Sequence, residues 1–322
     1  MAAVEVRKLV KRYGDVEAVR GIDLEVAEGE MYGFLGPNGA GKTTTIKILC
    51  TLAEATSGSA VVAGYDVAAE RSAVRRNIGL VFQEPTLDGY LTAEQNLRFH
   101  GELYGVPRPL LRRRMDEVLE MVGLADRRRD LVQTYSGGMR RRLEIARGLL
   151  HTPAVLFLDE PTIGLDPQTR AAIWEYIGAL REAQEITVFV TTHYMEEAEY
   201  CDRIAIIDDG RIAVTDTPDA LKRAVGADRV QIRTADDAAA IVQLRERLGV
   251  DAAMHEGMVT FAVPGGAEFV PRLFAELGVR IDTVTVTRPS LDDVFMTYTG
   301  RTIRDAEAGG GPSAFQIMAG RR

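Results

Sequence analysis

The sequence is poor in cysteine and has no long apolar run. Its 322 residues include two cysteines, Cys50 and Cys201. Two cysteines cannot form a framework of several disulfides or a four-ligand zinc site, and free thiols suit a reducing compartment such as the cytosol. No apolar stretch approaches the roughly 18 residues that span a bilayer, and acidic Glu5 lies where a signal peptide would be apolar. If the protein acts at a membrane, we expect another protein to hold it there.

Basic charge is also in deficit. Lysine and arginine number 39 against 47 aspartates and glutamates, which gives a net charge of -8. This balance argues against a protein that binds nucleic acid over its whole surface. Hydrophobic residues make up 46% and charged residues 27%, as in a globular protein with a large core. The length favours one large domain and one smaller one.

The first two thirds of the chain show the pattern of an α/β protein. Met31–Leu35 is predicted as a strand, followed by a glycine-rich loop and a helical pattern. Val155–Leu158 and Ile186–Val190 are predicted as further buried strands of a parallel sheet. Between about residues 89 and 150 the pattern changes to arginine-rich helices. We therefore expect a helical subdomain inserted into an α/β core.

A different pattern begins after Gly226. From Arg229 to Val286 the predicted elements follow the order βαββαβ, which matches the split βαβ arrangement of a small α+β ferredoxin-like domain. A last helix is predicted over Pro289–Tyr298, and Gly309–Pro312 is typical of a flexible linker. The predicted organisation is a domain at residues 1–225, an accessory domain at 226–300 and a flexible tail at 301–322.

The residues Gly36–Thr43 match the phosphate-loop pattern G-x-x-x-x-G-K-[ST] and lie between a strand and a helix. In such a loop the backbone N–H groups and the helix N-terminus surround a β-phosphate. Lys42 would reach the β- and γ-phosphate oxygens, and the Thr43 hydroxyl would ligate Mg²⁺. A glycine turn without ligand is the alternative, but every fixed position and its context favour a nucleotide loop.

Asp159 and Glu160 end the predicted strand Val155–Leu158. Open α/β sheets bind their ligands at this carboxyl edge. One carboxylate can hold Mg²⁺ through its water shell, and the next can orient an attacking water. Taken alone, the pair is more typical of a solvated loop; together with the phosphate loop it predicts a catalytic site.

The stretch Tyr135–Arg140 contains Ser136, Gly137 and Gly138 directly before an amphipathic helix. A helix N-terminus with glycines is a second anion site, and it lies in the helical insertion rather than in the core. Two phosphate sites on one chain predict a shared ligand.

With these motifs in order, the sequence from about Val4 to Leu221 resembles the nucleotide-binding domains of ATP-binding cassette (ABC) proteins. The resemblance implies a P-loop NTPase fold with a RecA-like core, and ATP and Mg²⁺ as cofactors. It also implies a homodimer in which Ser136–Gly138 contact ATP held by the other protomer.

Further roles are implied by the resemblance. Tyr13 would stack on adenine, although alone it is more typical of a surface aromatic, and His193 would be the switch histidine rather than a hydrogen-bonded strand-end histidine. Gln83 would sense Mg²⁺ and the membrane subunit, Asp159 would be the Walker B metal partner, and Glu160 the general base. Gly164–Asp166 would form the dimer-contact loop. The Walker A loop would comprise Gly36, Pro37, Asn38, Gly39, Ala40, Gly41, Lys42, Thr43 and Thr44.

The chain departs from the family pattern beside the second anion site. Tyr135 stands where the family usually has leucine, and Met139 where it has glutamine. Both flank the phosphate-facing residues, so we expect altered rate or packing and not loss of activity.

Three arginine clusters raise the possibility of nucleic-acid binding: Arg112–Arg114, Arg127–Arg129 and Arg140–Arg142. Acidic residues such as Asp116, Glu117, Glu120, Asp126 and Glu144 lie among them. This mixture favours a solvated or partner-facing helical surface, and no aromatic ladder accompanies it. We expect no nucleic-acid partner.

A narrower resemblance is to the daunorubicin-resistance type of bacterial drug-export ATPase, through the single Walker A loop, the extra C-terminal domain and Leu291–Phe295. It implies a separate membrane permease whose helices dock beside Gln83, a peripheral position at the cytoplasmic face of the membrane, and drug, antibiotic or lipid-like cargo. The alternative is a soluble ABC ATPase of translation or DNA repair. Such proteins carry two cassettes, zinc cysteines or long coiled coils, which this sequence lacks.

Overall fold

The computed structural model describes residues 2–255, 257–301 and 303. The described chain forms two compact units that divide after Thr217. The sequence placed the boundary after residue 225, whereas the helix Pro218–Val225 belongs to the second unit. Within the described ranges, no helix combines the length and apolar character needed to cross a bilayer.

The first unit contains ten strands and seven α-helices among its described residues. The strands are β1 (Ala2–Tyr13), β2 (Val16–Ala27), β3 (Met31–Leu35), β4 (Ser57–Val62), β5 (Tyr65–Asp66), β6 (Ile78–Val81), β7 (Val155–Asp159), β8 (Thr187–Thr192), β9 (Arg203–Asp208) and β10 (Arg211–Asp216). The helices are α1 (Lys42–Leu49), α2 (Arg71–Asn77), α3 (Ala93–Leu103), α4 (Arg108–Met121), α5 (Gly137–Leu149), α6 (Pro167–Gln184) and α7 (Met195–Ala198).

The central sheet has the order β10-β9-β3-β8-β7-β6. All neighbours are parallel except the edge hairpin β9–β10. Every residue of β3, β7 and β8 is buried, as expected for parallel strands covered on both faces. Phe189 lies at the centre of this core, with its ring 5.6 Å from that of Tyr32 and 5.5 Å from that of Phe157. The predicted α/β core is confirmed.

A second, antiparallel sheet has the order β2-β1-β4-β5. It lies beside the glycine loop, because Arg20 N in β2 donates to Gly210 O and Gly210 N donates to Ala40 O. The predicted arginine-rich helices correspond to α3, α4 and α5. Helix α3 begins with a capping box between Thr92 and Gln95.

The second unit contains four strands and four helices among its described residues. These are α8 (Pro218–Val225), β11 (Asp228–Thr234), α9 (Asp237–Leu248), β12 (Ala252–His255), β13 (Met258–Val263), α10 (Gly266–Glu276), β14 (Ile281–Thr287) and α11 (Leu291–Thr299). The sheet order is β12-β13-β11-β14 with antiparallel neighbours. The order confirms the ferredoxin-like prediction. Apart from residues 301 and 303, the predicted flexible tail lies outside the described residues.

Candidate nucleotide-binding and catalytic site

Four neighbouring parallel strands, in the order β3, β8, β7 and β6, end at one edge of the central sheet. The glycine loop follows β3, His193 follows β8, Asp159 ends β7, and Gln83 follows β6. These residues are distant in sequence, and the order of the strands places them side by side. This is the sheet edge where open α/β proteins bind ligands.

The glycine loop has the backbone form that its sequence predicts. Gly41 has a φ of 104°, and a Cβ there would lie 2.4 Å from Ala18 O, so only glycine fits. Lys42 is buried, and its ammonium donates to Gly36 O at 2.6 Å and to Pro37 O at 3.0 Å. The positive charge is therefore held inside the loop.

Thr43 and Asp159 form the part of the site that suits a metal ion. Thr43 Oγ1 donates to Asp159 Oδ1 at 3.2 Å, and Thr191 Oγ1 donates to the same oxygen at 2.6 Å. Burial raises the pKa of Asp159, although the hydroxyl donors Thr191 and Thr43 oppose the rise. Mg²⁺ in nucleotide sites takes one or two protein oxygens, with waters and phosphates completing its shell. A hydroxyl beside a buried carboxylate fits that requirement.

Glu160 lies at the centre of the polar cluster. Its carboxylate is 3.2 Å from Lys42 Nζ and 3.4 Å from His193 Nδ1, and it accepts a hydrogen bond from Gln83 Nε2 at 3.3 Å. Burial alone would raise the pKa of Glu160, but His193 and Lys42 outweigh that effect and lower the pKa. The carboxylate is therefore ionised at neutral pH and can accept a proton from water.

The backbone of Glu160 is unusual, because its φ of 46° lies in the left-handed region. For a residue other than glycine this conformation costs about 1 to 3 kcal/mol and persists where surrounding contacts enforce it. Glu160 N donates both to Thr191 O and to Thr191 Oγ1. Thr191 thus holds both acidic residues, and sequence reasoning missed it. Its signal was a threonine near the carboxyl end of a predicted core strand.

Ser136 caps helix α5, since its side chain accepts from Met139 N at 3.2 Å. A Cβ on Gly138 would lie 2.5 Å from Thr169 Cγ2, so this glycine allows α5 to pack closely on α6. Tyr135 is buried, and its hydroxyl donates to Arg127 O at 2.7 Å. The departure from the family pattern at Tyr135 therefore fills a packed position.

Two further candidate site residues, Asp166 and Tyr13, contact residues close to them in sequence. Asp166 caps helix α6, and hydrogen bonds from Thr169 lower its pKa. Tyr13 ends β1, with the ammonium of Lys11 4.7 Å from its ring centre. The structure thus gathers the glycine loop, Gln83, Asp159, Glu160 and His193, and it places Ser136 and Asp166 in the caps of neighbouring helices.

The interpretation of the arginine clusters is wrong for Arg141 and Glu144. These residues are 6% and 2% exposed and form a buried ion pair of 3.0 Å. Other members fit the expectation of a solvated surface, such as the exposed pair Arg113–Glu117. Helical periodicity gave no signal for the exception, because a charged residue is ordinarily counted on the exposed face.

Comparison with known proteins identifies both units. Residues 19–163 match the family model described as ABC transporter, and residues 217–299 match that of the ATP-binding protein DrrA1-3-like, C-terminal domain. Over 317 residues the chain is 44% identical to the daunorubicin resistance ATP-binding protein DrrA2 of Streptomyces coeruleorubidus, covering 95% of this chain and 98% of that protein. The chain belongs to the ABC family of ATP-binding proteins. It is an ABC ATPase that binds ATP.

Other relatives extend the comparison. This ABC ATPase is 39% identical to the linearmycin resistance ATP-binding protein LnrL of Bacillus subtilis, covering 94% of this chain and all of that protein. The solved dimeric structure of the ATP-binding cassette MJ0796 bound to ADP and Pi covers 66% of this chain and 98% of its own, with a TM-score of 0.58 and 29% identity. The predicted family and fold are confirmed.

Proposed function

We propose that this ABC ATPase is the energy-supplying subunit of an exporter and works with a separate membrane permease. Two relatives that match nearly the whole chain are named as daunorubicin and linearmycin resistance proteins. These names support a drug or an antibiotic as the cargo, and lipid-like cargo is a further class within the same proposal. The alternative role in translation or DNA repair is not favoured, because these two relatives match nearly the whole chain and are named for drug resistance.

In the proposed reaction, Glu160 takes a proton from the water that attacks the γ-phosphate of ATP. Lys42, 3.2 Å from that carboxylate, stabilises charge on the β- and γ-phosphates. His193 and Gln83, which both lie against the Glu160 carboxylate, orient the base and the water. Thr43 and Asp159 would hold Mg²⁺, which neutralises phosphate charge when bound. Tyr13 would stack on the adenine.

The proposed active form is a homodimer around two ATP molecules. Ser136, Gly137 and Gly138 begin helix α5 with N–H groups suited to an anion, and Ser136 and Gly137 are exposed. They would contact the γ-phosphate held by the other protomer, and Asp166 would belong to the dimer-contact loop beside the shared nucleotide. The dimeric state of the related cassette MJ0796 supports this arrangement.

The observation that carries the permease proposal is an open groove of about 530 Å³ in the first unit. It is lined by Phe82, next to Gln83, and by the side chains of Phe99 and Leu103. Phe99 is 67% exposed and Leu103 is 70% exposed. Large apolar side chains that are exposed together mark an interaction site. A permease helix bound in this groove would lie beside Gln83, which contacts the carboxylate of Glu160. The ATPase would then be positioned at the cytoplasmic face of the membrane.

Co-purification tests the permease proposal. A membrane protein with about six apolar segments, encoded beside this gene, should co-purify with the wild-type chain in detergent. Replacing Phe99 and Leu103 together by aspartate should abolish co-purification and leave ATP binding intact. Val242→Asp, an exposed apolar residue of the second unit, serves as the control. Equal recovery of the membrane protein with the double variant would contradict docking in this groove.

A further inference from the structure

The buried guanidinium of Arg141 contacts the backbone on both sides of the proposed base. Its Nε donates to Pro161 O at 2.5 Å, and its Nη2 donates to Asp159 O and Glu160 O, each at 3.2 Å. Three consecutive carbonyl groups therefore converge on one side chain. The middle one belongs to Glu160, whose backbone is in the left-handed region.

The same guanidinium reaches the segment that carries Gln83. Arg141 Nη1 donates to Phe82 O at 2.5 Å. Gln83 follows directly, and its amide donates to the Glu160 carboxylate. The planar guanidinium of Arg141 thus holds the main chain at Glu160 and directly before Gln83, the two residues joined by this side-chain hydrogen bond. Lysine cannot reproduce such a set, because its ammonium is a compact point charge and not a planar fork.

Glu144 completes the arrangement from the same helix. It accepts from Arg141 Nη1 at 3.0 Å and from Thr86 N at 2.7 Å. A buried charge needs a counter-ion and hydrogen bonds to persist, and Glu144 supplies both. Its bond to Thr86 makes a second attachment between α5 and the segment that contains Gln83.

We propose that Arg141 is a positioning residue for ATP hydrolysis, which sets the main chain of Glu160 and Gln83 from the buried side of the site. In this role it acts through the backbone carbonyls that it contacts and not by binding the nucleotide. Because Arg141 belongs to helix α5, which Ser136 caps, it also fixes the proposed base relative to the second anion site of the same chain. This inference rests on the proposed role of Glu160.

The first test compares Arg141→Lys with Arg112→Lys, which changes an exposed arginine of α4. The measurements are kcat and KM for Mg-ATP on the full chain, with the melting temperature recorded for each variant. We expect Arg141→Lys to lower kcat by about 10- to 100-fold with KM nearly unchanged, because small misplacements of a catalytic group cost that much. Arg112→Lys should behave as wild type. An Arg141→Lys protein that melts earlier but keeps its kcat would show a merely structural role and overturn the proposal.

The second test is a double-variant cycle measured in single turnover. If Arg141 acts through Glu160, Arg141→Lys should cause little further loss in the Glu160→Gln background. Equal fractional losses in both backgrounds would overturn the inference and leave Glu160 as the base. Normal turnover of Glu160→Gln alone would instead contradict the proposed function. Should Arg141→Lys fail to fold, Glu144→Gln replaces it in both tests, with a smaller loss of kcat expected and an unchanged kcat counting against the proposal.

Discussion

Lys42 Nζ lies 3.2 Å from Glu160 Oε1, and the two side chains are only 4% and 5% exposed. This pair joins the glycine loop to the end of β7. In a site with little water, each charge strongly affects the other. The phosphate-binding cation and the proposed base are therefore neighbours within one electrostatic unit.

Lys42→Ala removes the cation of that unit. We expect ATP hydrolysis to fall at least about 100-fold, because no other side chain of the loop carries positive charge to the phosphates. The melting temperature, measured by calorimetry, checks that the variant folds. Turnover near that of the wild type would exclude the loop lysine from the mechanism.

Glu160→Gln keeps the shape of the side chain but removes its basicity. ATP binding should persist, whereas hydrolysis should fall by about 100- to 10,000-fold, the usual contribution of a general base. Equilibrium binding of a fluorescent ATP analogue and phosphate release measure the two properties separately.

Ser136→Glu tests the shared site. In the Glu160→Gln background with Mg-ATP, the chain should form a dimer in size exclusion with light scattering. Adding Ser136→Glu places a carboxylate against the partner's γ-phosphate, where like charges repel, so the dimer should be lost while ATP binding remains. Ser72→Glu, on an exposed serine of α2, is the matched control. A persistent ATP-dependent dimer would contradict the sandwich arrangement.

Because of His100, we expect the free energy of unfolding to decrease in acid. Burial lowers its pKa from 6.5 to about 3, with Arg147 and His151 adding to the effect. The unfolded chain therefore binds a proton below pH 6.5 that the folded chain does not bind until about pH 3. The free energy of unfolding should fall as pH drops through this window, by at most about 1.4 kcal/mol per pH unit from this residue. Chemical denaturation of His100→Phe between pH 7 and pH 5 should show a shallower decline than wild type, and equal slopes would refute the assignment.

Truncation after Thr217 tests the modular organisation. All proposed nucleotide contacts precede this residue, and the second unit has its own core around Val230, Leu244 and Phe261. The shortened chain should bind ATP with an affinity within about threefold of the full chain. Loss of binding in a folded truncated protein, as judged by circular dichroism, would show that the second unit contributes to the site.

The sequence predicted those parts of the fold and of the site that depend on residues close together in the chain. The spacing Gly36–Thr43 predicted the loop, since Gly41 occupies a conformation that other residues avoid. The βαββαβ order of the second unit could also be predicted, because the spacing of apolar residues, every second one in strands and every three to four in helices, is visible within a few residues. The boundary before Pro218 could not be predicted, since it depends on which unit helix α8 packs against.

The sequence by itself determined the nucleotide chemistry of this protein and the kind of fold that presents it. Tertiary structure alone decided that Thr191 holds Asp159 and Glu160, because the pairing of β7 with β8 joins residues far apart in the chain. It also decided that Arg141 is buried beneath the site. A charged residue on an amphipathic helix is normally exposed, and its burial here depends on carbonyl groups from two distant segments that exist as a set only in the folded chain.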